Sequence, residues 1–266
     1  MKETLLAPAL AVVSVDLKRA LLGRRGTPLL ILGSLAPLLM LLVGAVQRTR
    51  AEGELIAQYA ALFRYFVLCG SLFFGVGWAF SNLFRGEILE RSLHYFFLTP
   101  VRREAIALGK YITGVLATCL VFSLGTVASY VLLFGQGGPA AVRYLGSPAG
   151  LGALAAYVGI TCLACVAYGA VFLALGLVAK SPFVPILGVF LAERASVVLP
   201  VMLKRFTVVH YFDSLLPVPA PSGPLALLAD PEPLFLGILL PLLLASVVLY
   251  LATRKVRTME ISYGVD

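Results

Sequence analysis

An all-α integral membrane fold with six transmembrane helices follows from three features of this 266-residue sequence. Hydrophobic residues make up 60% of the chain and charged residues only 13%, against roughly 25% in ordinary globular proteins. Mean hydropathy is +0.97, so a water-soluble domain of this size could not hide its apolar side chains. Six apolar runs each reach the ~20 residues that an α-helix needs to cross ~30 Å of hydrocarbon. Runs of this length exclude a transmembrane β-barrel, whose strands alternate over about ten residues. The same composition excludes a disordered chain, a disulfide-stapled secreted domain and a nucleic-acid-binding domain. A net charge of +8 is instead the signature of loops that meet anionic lipid.

The chain reads as one transmembrane domain over residues 1–266. Lys2 followed by the apolar stretch 5–15 imitates a signal peptide, but Asp16, Lys18 and Arg19 follow at once. Leu10, Val13, Leu17, Ala20 and Leu21 share one helical face, so residues 9–22 are expected to form an interfacial helix with snorkelling cations. The six spans are expected at 28–46, 59–84, 105–134, 150–179, 183–203 and 234–252. The third and fourth are long enough to tilt or to project beyond the bilayer.

Orientation follows from the cations. With both termini inside, fourteen basic residues are cytoplasmic: Lys2, Lys18, Arg19, Arg24, Arg25, Arg85, Arg91, Arg102, Arg103, Lys110, Lys180, Arg254, Lys255 and Arg257. Six are outside (Arg48, Arg50, Arg64, Arg143, Lys204 and Arg205), while Arg194 lies within a span. The positive-inside rule therefore places both termini in the cytoplasm of a multi-pass protein of the cell membrane.

Catalytic signatures are absent. No G-x-x-x-x-G-K-[ST] occurs: Gly109-Lys110 is followed by Tyr111, so the chain lacks a phosphate-cradling loop. There is no HExxH, no GxSxG and no carboxylate cluster resembling a metal site, and His94 and His210 fall on opposite sides of the membrane. Cys162 and Cys165 form a CxxC inside a span, and without further ligands they read as small residues packing on one face. The chain is expected not to be an enzyme, nor to hold a metal or cofactor of its own.

Between the second and third spans runs Gly86-Glu-Ile-Leu-Glu-Arg-Ser-Leu-His-Tyr-Phe-Phe-Leu-Thr-Pro100. Leu89, Leu93, Phe96 and Phe97 share one helical face; Glu87, Glu90, Arg91 and His94 cluster opposite. The residues alone allow two roles for this helix, an interfacial anchor or a lever seated in a groove of a soluble partner.

With Leu98-Thr-Pro-Val-Arg-Arg103 and Leu108-Gly-Lys110 after it, this stretch resembles the permease subunits of type-2 ABC transporters. Members of that family carry an acidic amphipathic helix followed by T-P-V-S-R and a G-K pair; this chain has Arg102 at the serine position. The resemblance extends to the interfacial helix, the six spans, a long outer segment before the last span and a basic tail. It implies an exporter built of two permeases, identical or different, and two ATP-binding subunits that hold ATP and magnesium. The helix at 87–98 becomes the coupling helix, with Glu87, Leu89, Glu90, Leu93, Phe96 and Phe97 as its ATPase-facing residues. The implied partners are the ATP-binding subunit, a second permease and membrane lipid, with no nucleic acid.

Two further features stand out. Glu193 and Arg194 lie within the fifth span, where each charge costs ~2.5–3.5 kcal/mol. Adjacent residues diverge by roughly 100° on a helix, so each needs a partner elsewhere, either a structural counter-charge or a polar site on a transport path. The outer segment 205–233 is too apolar for a free loop and too rich in proline to span, which suits short re-entrant or surface helices. A secondary carrier or channel with Glu193 as a titrating switch, and a membrane anchor for a soluble partner, are the rival readings.

Overall fold

The computed structural model describes residues 17, 23, 26–46, 52–89, 103–179, 181, 183–195, 207–218 and 233–257. Among these no strand occurs. Helix α1 spans Thr27–Val46; α2, Glu52–Leu62, runs without a break through a π-helical stretch, Phe63–Leu72, into α3, Phe73–Leu89. Then come α4 (Arg103–Gln136), α5 (Pro139–Leu145), α6 (Pro148–Val178), α7 (Phe183–Ala195), α8 (Val208–Leu215) and α9 (Leu234–Arg257).

Five helices are long and apolar enough to cross a membrane: Thr27–Val46, Glu52–Leu83, Glu104–Gln136, Pro148–Val178 and Leu234–Val256. Four match expected spans within a few residues. The second departs: it starts at Glu52 rather than at 59, and Arg64, counted above with the outer cations although it falls within 59–84, is a helical residue near its middle. The reason is that Glu52 and Glu54 are ordinary first-turn residues of a helix, and their charge masks the continuity of the apolar stretch. Of the expected fifth span, α7 accounts for 13 residues, roughly 20 Å of helix, and 196–203 lie outside the described residues. The expected interfacial helix is represented only by Leu17, half-buried against the core.

Helix α6 is the centre of the bundle, packing on α4, α3 and α9. In its most apolar window 56% of residues are buried, against 28% for α1 and 17% for α9, which makes those two peripheral. Ser147 starts α6 by accepting a hydrogen bond from the Gly150 amide at 3.1 Å, with Pro148 at the first helical position, where no amide partner is needed. The α1–α4 crossing is close: a Cβ on Gly125 would stand 2.6 Å from the Gly33 carbonyl oxygen, so small residues set the helix spacing.

Beside α6 the core is aromatic. Tyr59 packs edge-on against Tyr130 and Tyr157, its ring centred 4.9 Å from each. The Tyr59 hydroxyl reaches the Thr126 carbonyl at 3.3 Å and the Ser129 hydroxyl at 3.2 Å; Tyr130 donates to the Gly150 carbonyl at 3.0 Å. The hydroxyls of Tyr59 and Tyr130 thus find acceptors on a neighbouring helix.

Candidate functional site

The charged site forms where the π-helical stretch of the second span meets α7 and α8. Helix α8 is eight residues long and packs on α6 and α9 through a buried Val208 and Phe212. Its ring at Phe212 lies edge-on to Tyr168 of α6, 5.8 Å away. Gly237 lets α9 approach, since a Cβ there would stand 2.9 Å from Leu215 Cδ2.

Arg64, 12% exposed, meets Asp213 of α8, 28% exposed, in a two-point ion pair. Its Nε donates to Oδ1 at 2.6 Å, and Nη2 donates to Oδ2. A third donor, Nη1, reaches the Tyr65 hydroxyl at 2.8 Å. The planar guanidinium fork suits a carboxylate in a way that a lysine would not, and a pair held within protein escapes most of the screening that weakens surface pairs. π-Helical geometry recurs at functional sites, and here the ten-residue stretch carries both Arg64 and Cys69.

Glu193 and Arg194 occupy the last turn of α7 and diverge as adjacent helical residues must. The Glu193 carboxylate accepts hydrogen bonds from the amides of Val208, at 3.1 Å, and Val209, at 3.2 Å. It thereby satisfies orphan donors at the start of α8, whose own N-cap residue, Thr207, makes no side-chain bond there. The positive end of the α8 dipole faces this carboxylate as well. Arg194 instead lies over the Phe190 ring, 5.2 Å from its centre, a cation–π contact. Together Arg64, Tyr65, Cys69, Phe73, Phe190, Glu193, Arg194 and Val209 enclose a cavity of ≈ 30 Å³.

Of the residues expected to engage an ATPase, Glu87 and Leu89 fall on the last turn of α3. Glu90, Leu93, Phe96 and Phe97 lie outside the described residues. Lys110 of the expected G-K pair sits inside α4, 1% exposed. Cys162 contacts the Ser123 hydroxyl at 3.4 Å, Cys165 is buried, and both are free thiols.

Arg64 and Asp213 were not singled out by the sequence reading. The signal was present: an arginine within an apolar run demands a counter-charge, and Asp213 is the only acid between Glu193 and Asp230. No family model, curated protein or solved structure matches this chain.

Proposed function

We propose that this chain is the membrane-spanning permease subunit of an ATP-driven exporter of the type-2 ABC kind. It works as a dimer in the cell membrane with both termini cytoplasmic, and its six spans form the substrate path. The observation that carries this reading is the sequence from Gly86 to Lys110, an acidic stretch of amphipathic pattern followed by Leu98-Thr-Pro-Val-Arg-Arg103 and a Gly-Lys pair between two long apolar helices. Helix α3 runs past the apolar window to Leu89, and α4 starts at Arg103, so both spans lead directly into that segment. ATP and magnesium belong to a separate subunit, since this chain has no phosphate loop.

In this reading, closure of the ATP-binding subunits pushes on the helix at 87–98, and the second span carries the displacement. That span holds α8 through Arg64 and Asp213, while Glu193 ties α8 to α7. Helix α8 therefore moves with the second span and α7 and controls the exit. Glu193 acts as a cap for α8 rather than as a titrating switch, which sets this reading above the secondary carrier.

The test is the double variant Leu93→Asp with Phe97→Asp. It should insert normally yet fail to co-purify with the ATP-binding subunit, and transport-linked ATP hydrolysis should be lost. Intact co-purification with full hydrolysis would overturn the coupling role.

A further inference from the structure

The seam between the second span and α7 has an apolar end and a cationic end. At the apolar end, Pro28, Leu32, Phe74, Trp78, Phe183, Ile186 and Leu187 line a cleft of ≈ 330 Å³, within the size range of small-molecule sites. At the other end lies the ≈ 30 Å³ cavity beside Arg64, Glu193 and Arg194. The two recesses adjoin, because Phe74 of the cleft and Phe190 of the cavity touch with ring centres 5.1 Å apart. On α7 the lining residues recur every three or four positions from Phe183 to Arg194, one helical face about 16 Å long.

The charges at the cationic end are unequally matched. Arg64 is engaged by Asp213, and Glu193 by two amides at the positive end of α8. Arg194 has the Phe190 face, and among the described residues no carboxylate lies within ion-pair distance of it. Nearby stands a second unsatisfied group. The Tyr168 hydroxyl, on a side chain 1% exposed, has no hydrogen-bond partner among the described residues, and its ring lies edge-on to Phe73, which lines the cavity. A guanidinium that lines a small cavity with no carboxylate partner among the described residues matches a compact anion. At ≈ 30 Å³ the cavity is about a tenth the size of the ≈ 330 Å³ cleft, which suits a compact carboxylate head better than a bulkier phosphodiester.

We infer that this seam binds a single-chain amphiphile with a carboxylate head, its hydrocarbon tail in the cleft along Ile186, Leu187, Phe74 and Trp78 and its head on Arg194. A long-chain fatty acid anion has that chemistry. The inference needs only that the chain sits in lipid, so it stands or falls separately from the exporter reading. Neutral acyl chains of the bilayer and a second copy of this chain are the other occupants, and the experiment distinguishes both.

Trp78 is the single tryptophan of the chain and lines the cleft, so its emission reports occupancy. The full chain is placed in nanodiscs of phosphatidylcholine and titrated with dibromostearate, with dibromostearyl alcohol as the neutral control. The acid should quench Trp78 saturably at concentrations where the alcohol does not. Arg194→Gln should weaken quenching by about tenfold or more, as expected for loss of a charge-assisted hydrogen bond, and Arg194→Lys should retain part of the affinity. Leu187 is 55% exposed at the cleft, so Leu187→Phe should fold normally and narrow the tail site, reducing quenching by the acid. Equal quenching by acid and alcohol would assign the cleft to ordinary acyl chains and overturn the proposal. So would unchanged quenching in Arg194→Gln, or a Trp78 shielded from the acid in a stable dimer.

Discussion

Tyr59 and Arg64 lie five residues apart on the second span, yet each is satisfied over a different range. Tyr59 belongs to a neutral polar region in which hydroxyls bond to carbonyls one turn back or on the next helix. Thr126 and Thr161 illustrate it: each bonds its own helix, at 2.8 and 2.9 Å, and the two hydroxyls meet at 3.1 Å. The serines and threonines carry their acceptors with them, because every helical turn presents carbonyls, and Tyr59 takes one from the helix packed beside it. Arg64 carries none. Its partner lies 149 residues away, on a short helix held in place by Glu193 and by close packing against Gly237. A charge in this environment therefore fixes tertiary structure, whereas a hydroxyl mainly adapts to it.

The sharpest way to break this contrast is to remove one member of the ion pair. Asp213→Leu strands Arg64 and should cost about 3 kcal/mol, the low end for buried pairs, because Asp213 keeps 28% of its surface exposed. Arg64→Leu combined with Asp213→Leu should be milder, since the desolvation of both ions disappears together. Unfolding midpoints in detergent test this, and equal losses for the single and double variants would remove the pair as an anchor of α8.

A smaller effect is expected at Glu193. Glu193→Ala frees the amides of Val208 and Val209 and should cost about 1–2 kcal/mol, the scale of a lost helix cap. Hydrogen exchange should accelerate at those two amides while α6 stays protected. Uniform loss of protection across the bundle would mean that Glu193 supports more than α8.

The smallest effect belongs to the neutral region. Tyr59→Phe removes the bonds to Thr126 and Ser129, but Ser129 still donates to the Thr126 carbonyl at 2.8 Å. A loss of about 0.6 kcal/mol, the average for hydrogen bonds between membrane helices, is expected in the same unfolding measurement. A loss matching that of Asp213→Leu would erase the distinction between the two regions.

What the sequence determined by itself is what depends on composition and local period. An apolar run of twenty or more residues has only a helix available in lipid, because every backbone amide and carbonyl needs a partner within the segment. The helices at 27–46, 104–136, 148–178 and 234–256 were legible for that reason, and so was the demand of Glu193 and Arg194 for partners elsewhere. Which partners they found was decided by tertiary structure. Nothing local links Glu193 to the amides of Val208 and Val209, or Arg64 to Asp213, because residues far apart in sequence meet only when the bundle closes. The continuous second helix was obscured by Glu52 and Glu54, whose charge is harmless in a first turn and disruptive to a hydropathy pattern. The seam between that helix and α7 is likewise a product of packing: its two walls lie more than a hundred residues apart in sequence, Pro28 and Leu32 of α1 complete its apolar end and Val209 of α8 its charged end, and only their placement together makes them one surface.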